Sequence, residues 1–251
     1  MIPVKSAKEI ESMKLACQIS AEALRAGGEA VKPGANTATI DKIIYDYIVS
    51  HGAKPNFKGL YGFPGSACIS VNDTVIHGLP SKSIVLKEGD IVSIDTGAKV
   101  NGFNGDNAAT FACGEVSEEA QKLMDVTKEA LYRGIAAANA GARVGDISAA
   151  VQAYVEENGF SVVRSFVGHG VGKELHEDPE VPNFGQAGRG PRLISGMTLA
   201  IEPMVNVGGH VVKTLNDGWT VKTCDGKLSA HFEHTVAITA KGPLILTQCR
   251  A

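Results

Sequence analysis

The sequence predicts an α+β fold built from two similar halves. Helical patterns are followed by strand patterns, and the same order then occurs a second time along the 251 residues. The chain also matches itself at an offset of 107 residues, where LKEGDIVSIDTGAKVNG meets LISGMTLAIEPMVNVGG. The sequence contains no linker or low-complexity segment, so we expect a single domain, residues 1–251, with halves of about 1–115 and 116–251.

The internal repeat keeps one register across a helical segment and a strand segment. It places Asp95 of the first half on Glu202 of the second. If the halves face each other, equivalent strands bring these two carboxylates to one central place, where a metal site can form. The identical pairs upstream are Gly34/Gly141, Ile40/Ile147, Tyr47/Tyr154 and Gly52/Gly159.

Local patterns assign the elements of the first half. Ser6 and Glu9 have the spacing of a capping box, which predicts a helix to about residue 26. The apolar face of residues 40–48 predicts a second helix that ends at Gly52. The predicted strands are 67–76, 90–98 and 108–113.

The second half repeats this order. Ser117 begins a predicted helix to about residue 139, and Asp146 is the expected cap of another that ends near Asn158. The predicted strands are 161–167, 198–207, 219–224 and 230–239.

Composition favours a compact protein of the cytoplasm. The chain is 44% hydrophobic and 20% charged, which suffices for a substantial core. Its net charge of −3 and its scattered Lys and Arg residues argue against a specific nucleic-acid partner. The five cysteines never form a CxxC pair, which is typical of thiols in a reducing compartment. The N-terminus is charged rather than signal-like, and no apolar run is long enough for a membrane span.

Four carboxylates and one imidazole are candidate metal ligands. The carboxylates belong to apolar strand patterns without alternating Lys or Arg, so divalent cations would offset the cost of burying them. A hairpin turn centred near Val100-Asn101 would put two of them, Asp95 and Asp106, roughly across from each other. His169 lies in the glycine-rich segment GHGVG, which allows close backbone approach. The five candidates are Asp95, Asp106, His169, Glu202 and Glu233.

Each of these positions also has a purely structural interpretation. Asp106 follows a glycine-rich turn and fits a turn residue. Asp95 and Glu202 fit strand-end caps or halves of an interface salt bridge, and His169 fits a hydrogen-bonded core histidine. A phosphate loop at GHGVG is not favoured, because no Lys-Ser/Thr pair follows it.

Four motifs, taken in order, resemble those of type I methionine aminopeptidases. They are IDTGAKVNGFNGD, GHGVGKELHEDP, LAIEPMVN and SAHFEHT, and the resemblance covers about residues 6–239. It implies the pita-bread fold, with two pseudo-twofold-related α/β halves around a central antiparallel sheet. It also implies that the five candidates bind two divalent metal ions. An oxygen-rich ligand set is typical of sites for Mn, Fe(II) or Co, whereas structural zinc sites are rich in sulfur ligands. Zn is the alternative.

The same resemblance implies an activity and further roles. The reaction would be hydrolytic removal of N-terminal methionine from new polypeptides with a small second residue. Glu202 would also accept a proton from the attacking water, His176 would hydrogen-bond the scissile carbonyl, and His77 would orient the substrate backbone. Leu60 and Leu175 stand where the family often has aromatic residues, and Trp219 fits core packing as well as a pocket wall. The implied methionine pocket comprises Phe57, Leu60, Phe63, Cys68, Leu175 and Trp219.

Three other functions are alternatives. One is a prolidase or aminopeptidase P, whose large extra N-terminal domain would not fit in 251 residues. Another is a type II methionine aminopeptidase, whose long helical insertion is not favoured by the short spacing from Glu202 to Glu233. The third is a non-catalytic binding protein of the same fold. The expected partner is the N-terminal methionine of nascent chains, and the expected state is a monomer. Transient ribosome contact at Lys54, Lys58 and Lys82 stands beside a simple solvated surface as an interpretation. Because Ile2 is β-branched, the chain is expected to keep its own Met1.

Overall fold

The fold consists of a helix pair followed by strands, and this arrangement occurs twice. The structure is a computed structural model that describes residues 2–249, so the expectation for Met1 falls outside it. The helices are α1 (Ala7–Glu29), α2 (Thr37–Ser50), α3 (Glu118–Ala137) and α4 (Val144–Glu157), with a 3₁₀ turn at Leu60–Gly62.

The strands of the first half are β1 (Lys54–Pro55), β2 (Ala67–Val71), β3 (Thr74–Ile76), β4 (Ile91–Val100) and β5 (Phe103–Ala112). Those of the second half are β6 (Ser161–Val162), β7 (Gly168–Gly170), β8 (Glu177–Val181), β9 (Thr198–Ile201), β10 (Met204–Asn206), β11 (Val212–Thr214), β12 (Val221–Thr223), β13 (Ser229–His231), β14 (Glu233–Thr239) and β15 (Gly242–Ile245).

Helix caps explain where the helices begin. The Ser6 hydroxyl accepts from the Glu9 N–H, and the Glu9 carboxylate accepts from the Ser6 N–H, which confirms the predicted capping box. Asp146 is not the cap of α4, contrary to the sequence-based prediction. The cap is Arg143, and Asp146 sits three residues inside the helix, where its carboxylate accepts from the Arg143 N–H at 2.7 Å.

The strands form a curved antiparallel sheet with two small three-stranded sheets beside it. The main sheet has the order β1-β4-β5-β14-β9-β7-β8, with β2 paired to β4 and β15 paired to β14. Its longest ladder is the β4–β5 hairpin. Asn101 and Gly102 form its turn with φ of 52° and 80°, as expected for this two-residue turn.

The offset of 107 residues recurs in the structure. Adding 107 to the bounds of α2 gives the bounds of α4, and the same shift converts β1 into β6. The same shift also preserves strand pairing. Lys54 pairs with Lys99 in the first half, and the equivalent residues of the second half, Ser161 and Asn206, pair with each other. The two halves are therefore built on one plan down to individual backbone pairs.

Three predicted strands are broken, and two of the breaks lie beside candidate ligands. Residues 67–76 divide at Asn72, whose φ of 55° is incompatible with a continuous strand. Residues 198–207 divide at Glu202-Pro203, where proline has no N–H for a ladder. Residues 230–239 divide at Phe232. The predicted strand at 161–167 is also shorter, since only Ser161–Val162 pairs.

Helix packing on one face of the sheet decides which residues face the other side. Ile94 of β4 belongs to the core formed with α1 and α2. On β5, Asn107 accepts from the Ser20 hydroxyl of α1. Because side chains alternate along a strand, Asp95 and Asp106 point to the opposite face. The helices thus cover one face and leave the other for the site.

A buried ion pair joins the N-terminal segment to the start of β8. Lys5 Nζ lies 2.5 Å from Glu177 Oε2, and the two side chains are only 6% and 9% exposed. The Lys5 N–H also donates to the Gly196 carbonyl oxygen at 2.7 Å. Since both charges are removed from water, each is stabilised by the opposite charge of the other.

We expect Lys5→Met to lower the free energy of unfolding by about 3–5 kcal/mol, because it leaves the Glu177 carboxylate buried without a counter-charge. Urea unfolding measures the effect. The double variant Lys5→Met/Glu177→Gln should recover most of the loss. Lys14→Met is the matched control, since its pair with Glu11 is exposed and should be worth less than about 1 kcal/mol. Equal losses in the single and double variants would contradict this account.

Candidate metal centre

Five side chains from both halves meet in one cavity at the open face of the sheet. Two come from the β4–β5 hairpin, one from the middle of β7, one from the residue after β9 and one from the start of β14. They are the residues predicted from the sequence, namely Asp95, Asp106, His169, Glu202 and Glu233.

Distances within the cluster suit a shared cation. Asp106, His169 and Glu233 each offer a ligand atom within 4.8 Å of the others. His169 Nε2 lies 3.8 Å from Asp106 Oδ2 and 3.6 Å from Glu202 Oε1. These separations exceed ordinary hydrogen bonds, so the atoms surround a space rather than bond to one another.

The predicted pairing of Asp95 with Asp106 needs a correction. Asp95 pairs with Ala108, and Asp106 pairs with Gly97. The hairpin turn is centred between Asn101 and Gly102, one position later than the expected centre, which shifts the register. The two carboxylates are therefore diagonal neighbours on one face, a relation that still lets side chains interact.

The backbone around His169 fixes the orientation of its imidazole. His169 Nδ1 lies 2.8 Å from the Gly170 carbonyl oxygen, so Nδ1 carries the proton and Nε2 presents its lone pair to the carboxylates. Glycines are needed on both sides of the histidine. A Cβ at Gly168 would lie 2.4 Å from the Ala200 oxygen, and one at Gly170 would lie 2.2 Å from the Asp178 oxygen.

The cluster carries carboxylate charges and buried oxygens that no other group within the described residues 2–249 matches. Asp106 and Glu233 are 3% and 2% exposed, yet among residues 2–249 no Lys or Arg pairs with any of the four acids. One oxygen on each of Asp95, Asp106 and Glu233 is buried without a hydrogen-bond partner in that range. Burial, and then mutual repulsion, raises the pKa of Glu233, and burial raises the pKa of Asp106 to about 7.

Divalent cations fit this donor set. They would supply the missing charge and use the unpartnered oxygens, and the carboxylates would then stay ionised. The structural interpretations do not account for these residues: Asp106 lies within β5 rather than in the turn, and the His169 imidazole faces acids rather than a core partner.

Two further histidines line the same cavity. The His176 ring lies 4.5 Å from that of His169 in an edge-on arrangement, and burial lowers its pKa. His77 packs edge-on against Phe166 at 5.7 Å, and burial, with a smaller contribution from His176, lowers its pKa to about 4. His77 also has a φ of 57°, a costly conformation for a side-chain-bearing residue and one that tends to occur at functional sites.

An apolar pocket adjoins the candidate ligands. The cavity has a volume of about 510 Å³, and one end is walled by a cluster that contains every predicted pocket residue. Phe63 meets Trp219 edge-on at 5.1 Å, which makes Trp219 part of this wall rather than of the main core. The cluster comprises Phe57, Leu60, Phe63, Cys68, Leu175 and Trp219, together with Leu79.

Sequence reasoning missed His231. Its side chain is buried at 1% exposure, and its Nε2 lies 3.6 Å from Glu202 Oε2. Burial lowers its pKa to about 3. The available signal was its position two residues before Glu233 in the predicted strand 230–239, because alternation along such a strand places residues two apart on one face.

The fold and site define the class of protein. The sequence model of metallopeptidase family M24 matches residues 11–240. The methionine aminopeptidase of Clostridium perfringens is 59% identical over 247 residues, which is 98% of this chain and 99% of the relative. Methionine aminopeptidase 1 of Bacillus subtilis is 52% identical over 248 residues, 99% of this chain and 100% of the relative. The chain therefore belongs to metallopeptidase family M24 and, within it, to the methionine aminopeptidases.

Solved structures confirm the predicted pita-bread fold. The methionine aminopeptidase of Thermotoga maritima superposes with a TM-score of 0.97 at 47% identity, covering 99% of this chain and 100% of that one. Prolidase from Pyrococcus furiosus gives a TM-score of 0.79 at 24% identity and is covered over only 66% of its length, so it shares the fold alone. Among residues 2–249, no helix combines the length and apolarity needed to cross a membrane.

Proposed function

We propose that this chain is a metal-dependent aminopeptidase that removes the N-terminal methionine from polypeptides with a small second residue. One observation carries the proposal: an acidic cluster with the composition of a dinuclear metal site adjoins an apolar pocket in one cavity. The cluster can hold a free α-amine and a peptide bond, and the pocket can hold one apolar side chain.

Asp95, Asp106, His169, Glu202 and Glu233 would hold the metal ions, and three of them, Asp106, His169 and Glu233, already offer ligand atoms within 4.8 Å of one another. Bound Mn, Fe(II), Co or Zn would polarise the scissile carbonyl and lower the pKa of a water. The protein contributes the orientation of the ligands. Hydrogen bonds between the Asp106 backbone and the Thr235 hydroxyl hold β5 against β14. The Gly170 carbonyl oxygen accepts from the imidazole of His169 and fixes its orientation.

The remaining steps are assigned to side chains of the cavity wall. Glu202 accepts the proton of the attacking water, because one of its oxygens faces the ligand cluster. His176 donates an N–H to the carbonyl oxygen as that oxygen gains negative charge. A neutral imidazole carries one N–H, so this donation does not require a charged ring. His77 orients the substrate backbone near the second residue.

The pocket explains the choice of methionine. Its wall is made of aromatic, aliphatic and thiol groups, which favour an unbranched thioether over a charged or strongly polar side chain. Leu60 and Leu175 in place of aromatic residues give this pocket a more deformable wall than an all-aromatic one.

A peptide panel tests the function. We expect efficient hydrolysis of Met-Gly and Met-Ala peptides and poor hydrolysis of Met-Ile and Met-Lys peptides. A bulky second residue next to His77 would displace the scissile carbonyl, and a shift of about 1 Å can cost on the order of 100-fold in rate. Equal rates on Met-Ala and Met-Ile would indicate a broader aminopeptidase, and preference for X-Pro peptides would indicate a prolidase.

The remaining expectations complete the proposal. We propose a single catalytic unit of two halves, about 1–115 and 116–251, that acts as a monomer in the cytoplasm on nascent chains. Lys58 lies over the Tyr45 ring at 4.4 Å, and Lys54 pairs across strands with Lys99. These two basic residues of the possible ribosome-contact surface are therefore attached to the folded first half. Whether it contacts the ribosome is tested by co-sedimentation with ribosomes at low and high salt.

A further inference from the structure

We propose that His231 is a positioning residue that holds the carboxylate of Glu202 in its working orientation. This inference rests on the proposed function, because it gives Glu202 the roles of ligand and proton acceptor. His231 is the last residue of β13, and Glu202 directly follows β9.

The geometry places one oxygen of Glu202 on each of two histidines. Glu202 Oε1 lies 3.6 Å from His169 Nε2, and Glu202 Oε2 lies 3.6 Å from His231 Nε2. The first oxygen faces the ligand cluster. The second lies beside His231, so the two contacts together restrict the rotation of the carboxylate.

The Nε2 nitrogen of His231 is buried and makes no hydrogen bond within residues 2–249. A buried N–H without an acceptor is costly, and a carboxylate oxygen nearby is the natural acceptor. A proton on Nε2 gives an attractive contact, whereas a lone pair there would face the negative oxygen. The geometry therefore favours the Nε2–H tautomer.

The backbone of His231 is firmly held. Its N–H donates to the Thr110 hydroxyl at 2.9 Å, and its carbonyl oxygen accepts from the same hydroxyl at 2.9 Å. Its strand also pairs with Met204 of β10, two residues beyond Glu202. The imidazole is thus presented from a rigid strand, which is what a residue that orients a ligand requires.

His231 acts on Glu202 rather than on substrate. Glu202 is part of the wall of the catalytic cavity, whereas His231 is 1% exposed and is not part of that wall among the described residues. A peptide in the cavity would touch the carboxylate and not the imidazole. Loss of His231 should therefore affect the chemical step more than substrate binding.

Two substitutions separate the N–H that His231 directs toward Glu202 from its packing. His231→Gln retains an N–H donor at similar reach, whereas His231→Leu removes it. We expect His231→Leu to lower kcat by about 10- to 100-fold with KM nearly unchanged, and His231→Gln to stay within about 3-fold of the wild type. His210→Leu is the control, because His210 is exposed.

A spectroscopic readout accompanies the kinetics. The Co(II)-loaded wild type and His231→Gln protein should share one visible absorption spectrum, and His231→Leu should alter it because the Glu202 ligand turns. The inference is overturned if His231→Leu keeps both wild-type kcat and spectrum, or if His231→Gln is as impaired as His231→Leu at equal thermal stability. Should the leucine variant not fold, His231→Met replaces it. An inactive wild type would instead refute the proposed function.

Discussion

Glu233→Gln is expected to abolish methionine release and to weaken metal retention. The substitution keeps the shape of the side chain and removes one negative charge from a site that no Lys or Arg of residues 2–249 neutralises. Loss of a residue that only orients a ligand commonly costs 10- to 100-fold in affinity, so loss of a ligand itself should cost about 100-fold or more. Asp95→Asn should behave in the same way.

Calorimetric titration with Mn(II) and Co(II) measures the loss of affinity independently of turnover. Glu129→Gln is a matched control, because the substitution makes the same chemical change on the surface. Glu129 forms an exposed ion pair with Arg133 on one helix. Wild-type binding and turnover in both Glu233→Gln and Asp95→Asn would remove these residues from the metal site.

In the metal-free protein, Glu233→Gln should raise the thermal stability, although the same substitution lowers metal affinity. Its four acids repel one another, and each of them has a raised pKa because of burial. Replacing Glu233 by a neutral amide relieves that repulsion, so the metal-free variant should unfold at a higher temperature than the metal-free wild type. Sites built for function are often destabilising in this way. Added metal should stabilise the wild type much more than the variant.

The sequence predicts which five candidate ligands lie in one cavity, because the strands that carry them have strong local signals. Apolar alternation locates β4 and β9, and the internal repeat shows that Asp95 and Glu202 are equivalent positions. The turn dipeptide Asn101-Gly102 locates the hairpin. It does not give the register, since a shift of one residue in the turn centre changes which residues pair, and Asp106 consequently lies opposite Gly97 rather than Asp95.

Contacts between distant segments have no comparable signal. Lys5 and Glu177 are separated by 172 residues, and neither segment alone indicates an ion pair. His231 similarly acquires a partner only when β13 is placed against the end of β9. Asp146 illustrates a local ambiguity, because an acid near a helix start can cap from outside or bond back from the third position, and the first turn decides which.

His176→Ala is expected to lower kcat by about 100-fold while leaving KM nearly unchanged. Its ring lies in the same cavity as the candidate ligands, 4.5 Å from the His169 ring. From there it can donate to an oxygen that becomes negative only during the reaction, and a contact made mainly in the transition state affects kcat rather than ground-state binding. Because the proposed role of His176 is to donate an N–H, and a glutamine side chain also carries an N–H donor, His176→Gln should retain more activity than His176→Ala.

Steady-state kinetics on a Met-Ala peptide decide the role of His176. His51→Ala serves as the control, because His51 is an exposed histidine that stacks on Tyr47 at the end of α2. A rise in KM alone would assign His176 to substrate positioning, because the lost contact would then be present equally before and during the reaction. A loss of kcat together with unchanged Mn(II) affinity would instead separate His176 from the metal ligands, since its ring would then act on the substrate and not on the ions.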